Sequence, residues 1–145
     1  MPIQTAYEAG GPILANESLL DIKPRVLVVD DLPDAADSLA WLLPLVVDCT
    51  VHVAYSGPEA LEIADRVHPQ VVILDISMRQ MNGYQMADLM RQRAWGEQAF
   101  LVALSGWDMA DIPGHPVPSS SINLHLKKPV DVDTLRDVLG QLCAA

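Results

Sequence analysis

Basic residues are scarce in this chain: nine Lys and Arg stand against nineteen Asp and Glu in 145 residues, a formal net charge of −10. Surfaces that hold DNA or RNA are built from clustered Lys and Arg, so no nucleic-acid partner is expected. Cysteine is nearly absent. Cys49 and Cys143 fit neither a metal-ligand spacing nor a disulfide framework, which points to reduced thiols and a cytoplasmic protein. Residues 1–24 lack the basic start and apolar centre of a signal peptide, and no run approaches 18 apolar residues, so no membrane association is expected either. The length suits one domain with a full hydrophobic core and is too short for two ordinary ones.

What is present is an alternation. Residues 1–24 (MPIQTAYEAGGPILANESLLDIKP) show no sustained period and read as a flexible N-terminal arm. From Arg25 onward, VLVV (26–29), VVIL (71–74) and LVAL (101–104) are continuous apolar runs, as expected of interior parallel strands buried on both faces. TVHVA (50–54) and NLHLK (123–127) alternate polar with apolar, which suits strands at the sheet edges. Helices are predicted at 33–43, stopped by Pro44; at 57–67, with Ser56 as N-cap; at 83–93; and at 131–142, where Val132, Leu135, Val138, Leu139 and Leu142 share a face. Five strands alternating with helices give a doubly wound α/β domain over residues 25–145 with a five-stranded parallel sheet. Between the fourth and fifth strands, GWDMADIPGHPVPSSSI (106–122) carries three prolines, two glycines and a serine run, so the helix there is predicted to be short or replaced by a loop.

Polar residues gather where the strands end. Asp30 and Asp31 follow the first strand, Asp75 the third, Ser105 and Gly106 the fourth, Lys128 and Pro129 the fifth. In doubly wound folds that edge of the sheet is the ligand crevice. Any one of these residues has an ordinary explanation as a cap, a turn residue or a surface charge; their shared placement is harder to dismiss. Three converging carboxylates repel unless one is protonated or a cation sits among them, and hard oxygen donors without His or Cys suit Mg²⁺. With Lys128 as a second positive charge, Ser105 as a hydroxyl donor and Asp75 as a carboxylate nucleophile, the set has the parts of a phosphoryl site.

The residues Asp30-Asp31, Asp75 in LDISM followed by MNG, Ser105 in ALSG and Lys128-Pro129 in LKKPVD resemble a response regulator receiver domain of bacterial two-component signalling. The resemblance covers residues 25–142, and its spacings are 44 residues from Asp31 to Asp75, 30 from Asp75 to Ser105 and 23 from Ser105 to Lys128. It implies a flavodoxin-like sheet of order 2-1-3-4-5. It also implies an acceptor, Asp75, phosphorylated by a sensor histidine kinase or a histidine phosphotransfer protein. Mg²⁺ would be held by Asp30, Asp31, Asp75 and the main-chain carbonyl of Ser77. Ser105 would turn toward the phosphoryl group, Lys128 would pair with it, and the Lys128-Pro129 bond would be cis.

The sequence departs from that pattern in places. The family usually carries Pro four residues after the acceptor, where this chain has Arg79, which reads as a surface loop residue. His125 stands where a switching aromatic is usual, either as a substitute switch or as an exposed strand residue. Trp107, two residues past Ser105, sits where side chains rim the phosphoryl pocket, either shielding the acyl phosphate from water or packing over the loop. The resemblance implies a stand-alone phosphoacceptor module whose output passes to an unknown protein by contact or relay. It would be no enzyme beyond catalysing its own phosphorylation and dephosphorylation. An initiating Met and the N-terminal arm favour a complete small protein over a piece of a hybrid kinase. Two alternatives differ in kind. An unphosphorylated pseudo-receiver scaffold draws on the irregular 106–122 segment, while a haloacid dehalogenase-type phosphatase would want an Asp where Ser77 stands.

Overall fold

Side chains alternate across a strand, so a strand buried on both faces must be apolar throughout and must feed two separate cores. A computed structural model describing residues 23–79, 81–106 and 121–143 has this arrangement. Its elements are β1 (Arg25–Val29), α1 (Pro33–Val46), β2 (Thr50–Ala54), α2 (Gly57–Val67), β3 (Val71–Asp75), α3 (Gly83–Arg91), β4 (Phe100–Ser105), β5 (Leu124–Lys127) and α4 (Val132–Cys143). The sheet runs β2-β1-β3-β4-β5 with every pair parallel, and the two alternating strands lie at its edges as their pattern predicts.

Leu27, Val29, Val72, Leu74, Leu101 and Ala103 face one way, against Ala60 and Ala64 of α2 and Tyr84, Met86, Ala87 and Met90 of α3. Val26, Val28, Val71, Ile73, Val102 and Leu104 face the other, against Ala36 and Leu43 of α1 and Leu135 and Leu139 of α4. Cys49 lies in this second core as a buried thiol. Ser56 caps α2 by accepting from the Glu59 amide, and Asn82 caps α3 in a reciprocal box with Gln85.

Some boundaries differ from the sequence expectation. Pro44 does not stop α1, which runs on to Val46. A proline near the last turn forfeits one intrahelical hydrogen bond, and the helix end is held by buried Leu43, whose carbonyl accepts from the Val47 amide. Asp75 is itself the last residue of β3 rather than the residue after it, and α3 closes at Arg91 instead of 93. Of the N-terminal arm, residues 1–22 lie outside the described residues. Its last two residues belong to the body, with the Pro24 carbonyl accepting from the Thr50 amide and Lys23 Nζ 3.3 Å from Asp48 Oδ1. The segment read as a short helix or loop likewise falls almost wholly on residues 107–120, outside the described residues.

Where the described chain resumes at Ser121, α3 receives it. Arg91 at the end of α3 donates from Nε and Nη2 to the Ser121 carbonyl, from Nη2 to Asn123 Oδ1 at 2.6 Å, and from Nη1 to the Gly96 and Ala99 carbonyls. One guanidinium thus joins α3, the turn leading to β4 and the start of β5, as five forked donors allow. Because Arg91→Ala would leave partly buried carbonyls unsatisfied, it is expected to lower stability by at least about 2 kcal/mol. Arg136, paired among the described residues with Asp133 on the exposed side of α4, serves as the control, and its replacement by Ala should leave the urea midpoint unchanged.

Candidate functional site

The parallel register delivers five side chains to one sheet edge. Asp30 and Asp31 follow β1, Asp75 closes β3, Ser105 closes β4 and Lys128 follows β5. Carboxylate oxygens of Asp30, Asp31 and Asp75 lie within 4.8 Å of one another, with Asp30 and Asp75 buried and Asp31 half-buried. Lys128 Nζ stands between two of them, 3.2 Å from Asp75 Oδ1 and 3.5 Å from Asp30 Oδ2. The backbone holds that position through the Lys128 amide, which donates to the Ser105 carbonyl at 2.8 Å. The Lys128-Pro129 bond is cis.

The two oxygens of Asp75 are not equivalent. Oδ1 receives both the Lys128 ammonium and the Ser77 amide, the latter at 3.2 Å. Among the described residues no group donates to Oδ2. Asp30 is held by the Leu32 amide at 3.0 Å, and its own amide donates to the Ala54 carbonyl. Burial pushes the Asp30 carboxyl above its ordinary 3.8, and the Asp75 charge adds to this, while the Leu32 amide and Lys128 pull the other way.

The loop leaving Asp75 turns back sharply. The Ile76 amide donates to the Leu104 carbonyl, continuing the β3–β4 ladder, and the Gly83 amide donates to the Ile76 carbonyl at 3.1 Å. A Cβ on Gly83 would lie 2.7 Å from the Asp75 carbonyl oxygen and 3.0 Å from the Ile76 Cα. Glycine is therefore required at the end of the MNG motif, where the start of α3 presses on the backbone of Asp75 and Ile76.

The sequence-predicted residues Asp30, Asp31, Asp75, Ser77, Ser105 and Lys128 all meet at this edge, and Trp107 lies outside the described residues. His125 is not the exposed strand residue of its simpler reading. It pairs with Ala103 in the β4–β5 register, two positions before Ser105 meets Lys127, and its ring centroid is 6.0 Å from that of Tyr84 on α3. Its Nε2 is buried without a hydrogen-bond partner among the described residues, and burial lowers its pKa below the ordinary 6.5. At neutral pH it is therefore a neutral ring, and any charge change lies on the acid side. Arg79, expected as a plain surface residue, is exposed but also touches the site: its amide donates to Asp31 Oδ2 at 3.0 Å. Sequence reasoning also missed Tyr84 and Arg91, whose roles rest on contacts between distant elements.

Residues 26–140 match the family of the response regulator receiver domain. This chain belongs to that family. It is 32% identical over 120 residues to an uncharacterized 14.6 kDa protein of Leptolyngbya boryana, covering 83% of this chain and 90% of the other. It is 31% identical over 121 residues to the response regulator Rre1 of Synechocystis, covering 82% of this chain but 51% of that protein. Against the nitrate/nitrite response regulator NarL of Escherichia coli the match is 27% over 81 residues and spans 38% of its length. The receiver chain thus spans about half or less of these two regulators. Among solved structures, the response regulator TrrA of Thermotoga maritima, in complex with Mg²⁺-BeF, superposes with a TM-score of 0.71 at 25% identity, covering 82% of this chain and 98% of that one. The chemotaxis protein CheY4 of Vibrio cholerae shares the fold, with a TM-score of 0.73 at 23% identity, covering 83% and 98% of the two chains.

The donor set of this receiver fits the hard cation that the family binds, since it offers three carboxylates and, among the described residues, no His or Cys in the cluster. Without a cation the site carries an electrostatic cost that depends on pH. Below 3.8 Asp30 is protonated whether folded or unfolded and costs nothing; above its raised folded value the carboxylate is charged in both states, and its burial opposes folding. In chelator-containing buffer Asp30→Asn is therefore expected to be more stable than the native protein at pH 7. Urea titrations at a series of pH values should show the advantage shrinking as pH falls toward 3.8 and vanishing below it.

Proposed function

We propose that this receiver is a phosphoacceptor module that takes a phosphoryl group on Asp75 from a sensor histidine kinase or a histidine phosphotransfer protein and passes the signal to a protein partner by contact or relay in the cytoplasm. The observation that carries this reading is the asymmetry of Asp75, with Oδ1 pinned by Lys128 and the Ser77 amide and Oδ2 left for the incoming phosphorus. In the transfer, the bond from Asp75 Oδ2 to phosphorus forms as the nitrogen–phosphorus bond of the phosphohistidine breaks. The departing imidazole nitrogen keeps the electron pair and takes its proton from solvent. Lys128 would neutralise charge on the acceptor side, and Ser105, at the end of the neighbouring strand, would orient a phosphoryl oxygen. Mg²⁺ held by Asp30, Asp31, Asp75 and the Ser77 carbonyl would supply further neutralisation of the phosphoryl oxygens. The chain would catalyse only its own phosphorylation and dephosphorylation, since Ser77 stands where a phosphatase of the haloacid dehalogenase type needs a general acid.

A protein donor must cover the edge where α1 begins. Leu32, next to Asp31, is exposed, and farther along α1 Trp41 and Leu45 lie one turn apart, 72% and 64% exposed. Exposed large apolar side chains of this kind are common anchors of protein interfaces.

Incubation with acetyl phosphate and Mg²⁺ followed by intact mass measurement is expected to yield one phosphoryl adduct that EDTA and Asp75→Ala both abolish. An adduct that persists in Asp75→Ala would overturn the assignment of the acceptor. Trp41→Ala is expected to slow transfer from a phosphorylated histidine phosphotransfer protein by about tenfold while leaving the acetyl phosphate rate unchanged. Equal slowing with both donors would remove Trp41 from the docking surface.

A further inference from the structure

Asp31 is the member of the acidic trio that reaches solvent, and it does not wait there alone. Its Oδ2 accepts the Arg79 amide at 3.0 Å, and Arg79 Nε lies 3.7 Å from the same oxygen. Proline, usual at this place in the resemblance described above, has no N–H and no charge, so neither contact could form with it. The amide contact needs a residue other than proline here, and the guanidinium contact needs Arg79 itself. The contact spans 48 positions of sequence and joins the loop leaving Asp75 to the end of β1. Beside it lies an open cleft of 260 Å³ bordered by Asp31, Arg79, Met78 and Met81 on one side and by Tyr55 and Ser56 on the other, so Asp31 is approachable from solvent.

Both contacts act against a cation. An amide donating to Oδ2 draws on the charge that a metal would use, and a guanidinium beside the same oxygen repels a divalent ion directly. The guanidinium contribution is modest and open to salt, because the Arg79 side chain is 82% exposed. The amide bond, directed at a carboxylate only 19% exposed, is shielded better. We propose that Arg79 is a positioning residue that holds Asp31 in the cation-free site and thereby weakens the affinity of the acidic trio for Mg²⁺. Metal occupancy then requires the loop after the acceptor to give up its hold on β1. This inference rests on the metal reading proposed above, but its test needs no phosphorylation.

The experiment is calorimetric titration of the unphosphorylated protein with MgCl₂, comparing the native chain with Arg79→Lys, Arg79→Ala and Arg79→Pro. Arg79→Ala, which keeps the amide and loses the guanidinium, is expected to bind Mg²⁺ about two- to threefold more tightly at low salt. Arg79→Pro, which loses both, should bind about five- to tenfold more tightly, and Arg79→Lys should stay close to native. At high ionic strength the difference between native and Arg79→Ala closes, whereas that between Arg79→Ala and Arg79→Pro persists. A merely structural residue would give neither this order nor the split in salt dependence. Affinities of Arg79→Ala and Arg79→Pro equal to native, or weaker, overturn the inference and leave the phosphoacceptor reading standing. Failure of the native protein to bind Mg²⁺ overturns the metal reading and this inference together. Should Arg79→Pro unfold, Arg79→Ala and its salt dependence decide the matter alone.

Discussion

The ammonium of Lys128, set between the carboxylates of Asp30 and Asp75, is the contact on which the rest of the site depends. Two buried carboxylates at the end of an apolar sheet would repel each other and resist desolvation if nothing opposed them. Lys128 directly follows β5 at the sheet edge, and its amide is tied to the Ser105 carbonyl at the end of β4. Correct pairing of β5 and tolerance of the acidic cluster are therefore one condition. The remaining imbalance raises the pKa of Asp30, chiefly through its burial.

Helix α3 carries this constraint across the molecule. It begins at Gly83, pressed against the backbone of Asp75, and ends at Arg91, whose guanidinium grips Ser121 and Asn123 just ahead of β5. The nine-residue helix thus spans from the loop after Asp75 to the segment just ahead of β5, the strand that carries His125 and precedes Lys128. Tyr84, one residue into α3, packs on His125, giving a second contact between the same two elements. A run of packed side chains and backbone contacts thus joins the α3 and β5 side of the sheet to Asp75. On the β1 side the link is the Arg79–Asp31 contact.

Much of this was legible in the sequence, for a physical reason. Strand and helix periods are local, so VLVV, VVIL and LVAL announced interior strands, TVHVA and NLHLK announced edge strands, and a parallel doubly wound sheet followed from their alternation, while its order came from the family resemblance. Each site residue sits at a strand end, which means that once the strands were placed Asp30, Asp31, Asp75, Ser105 and Lys128 had to converge. Pro44 shows the limit of local rules, because burial of Leu43 outweighs the hydrogen bond that the proline removes.

What tertiary structure alone decided are contacts between segments far apart in the chain. No periodicity says that the Arg79 amide meets Asp31, that Arg91 receives the chain at Ser121, or that Tyr84 lies over His125. Nor does it say which oxygen of Asp75 stays open. Hydrophobic pattern specifies which face of an element is buried, and with it the fold and the edge where the polar residues gather. Directed polar contacts depend on side-chain positions to within a fraction of an ångström, and only the assembled sheet and helices set these.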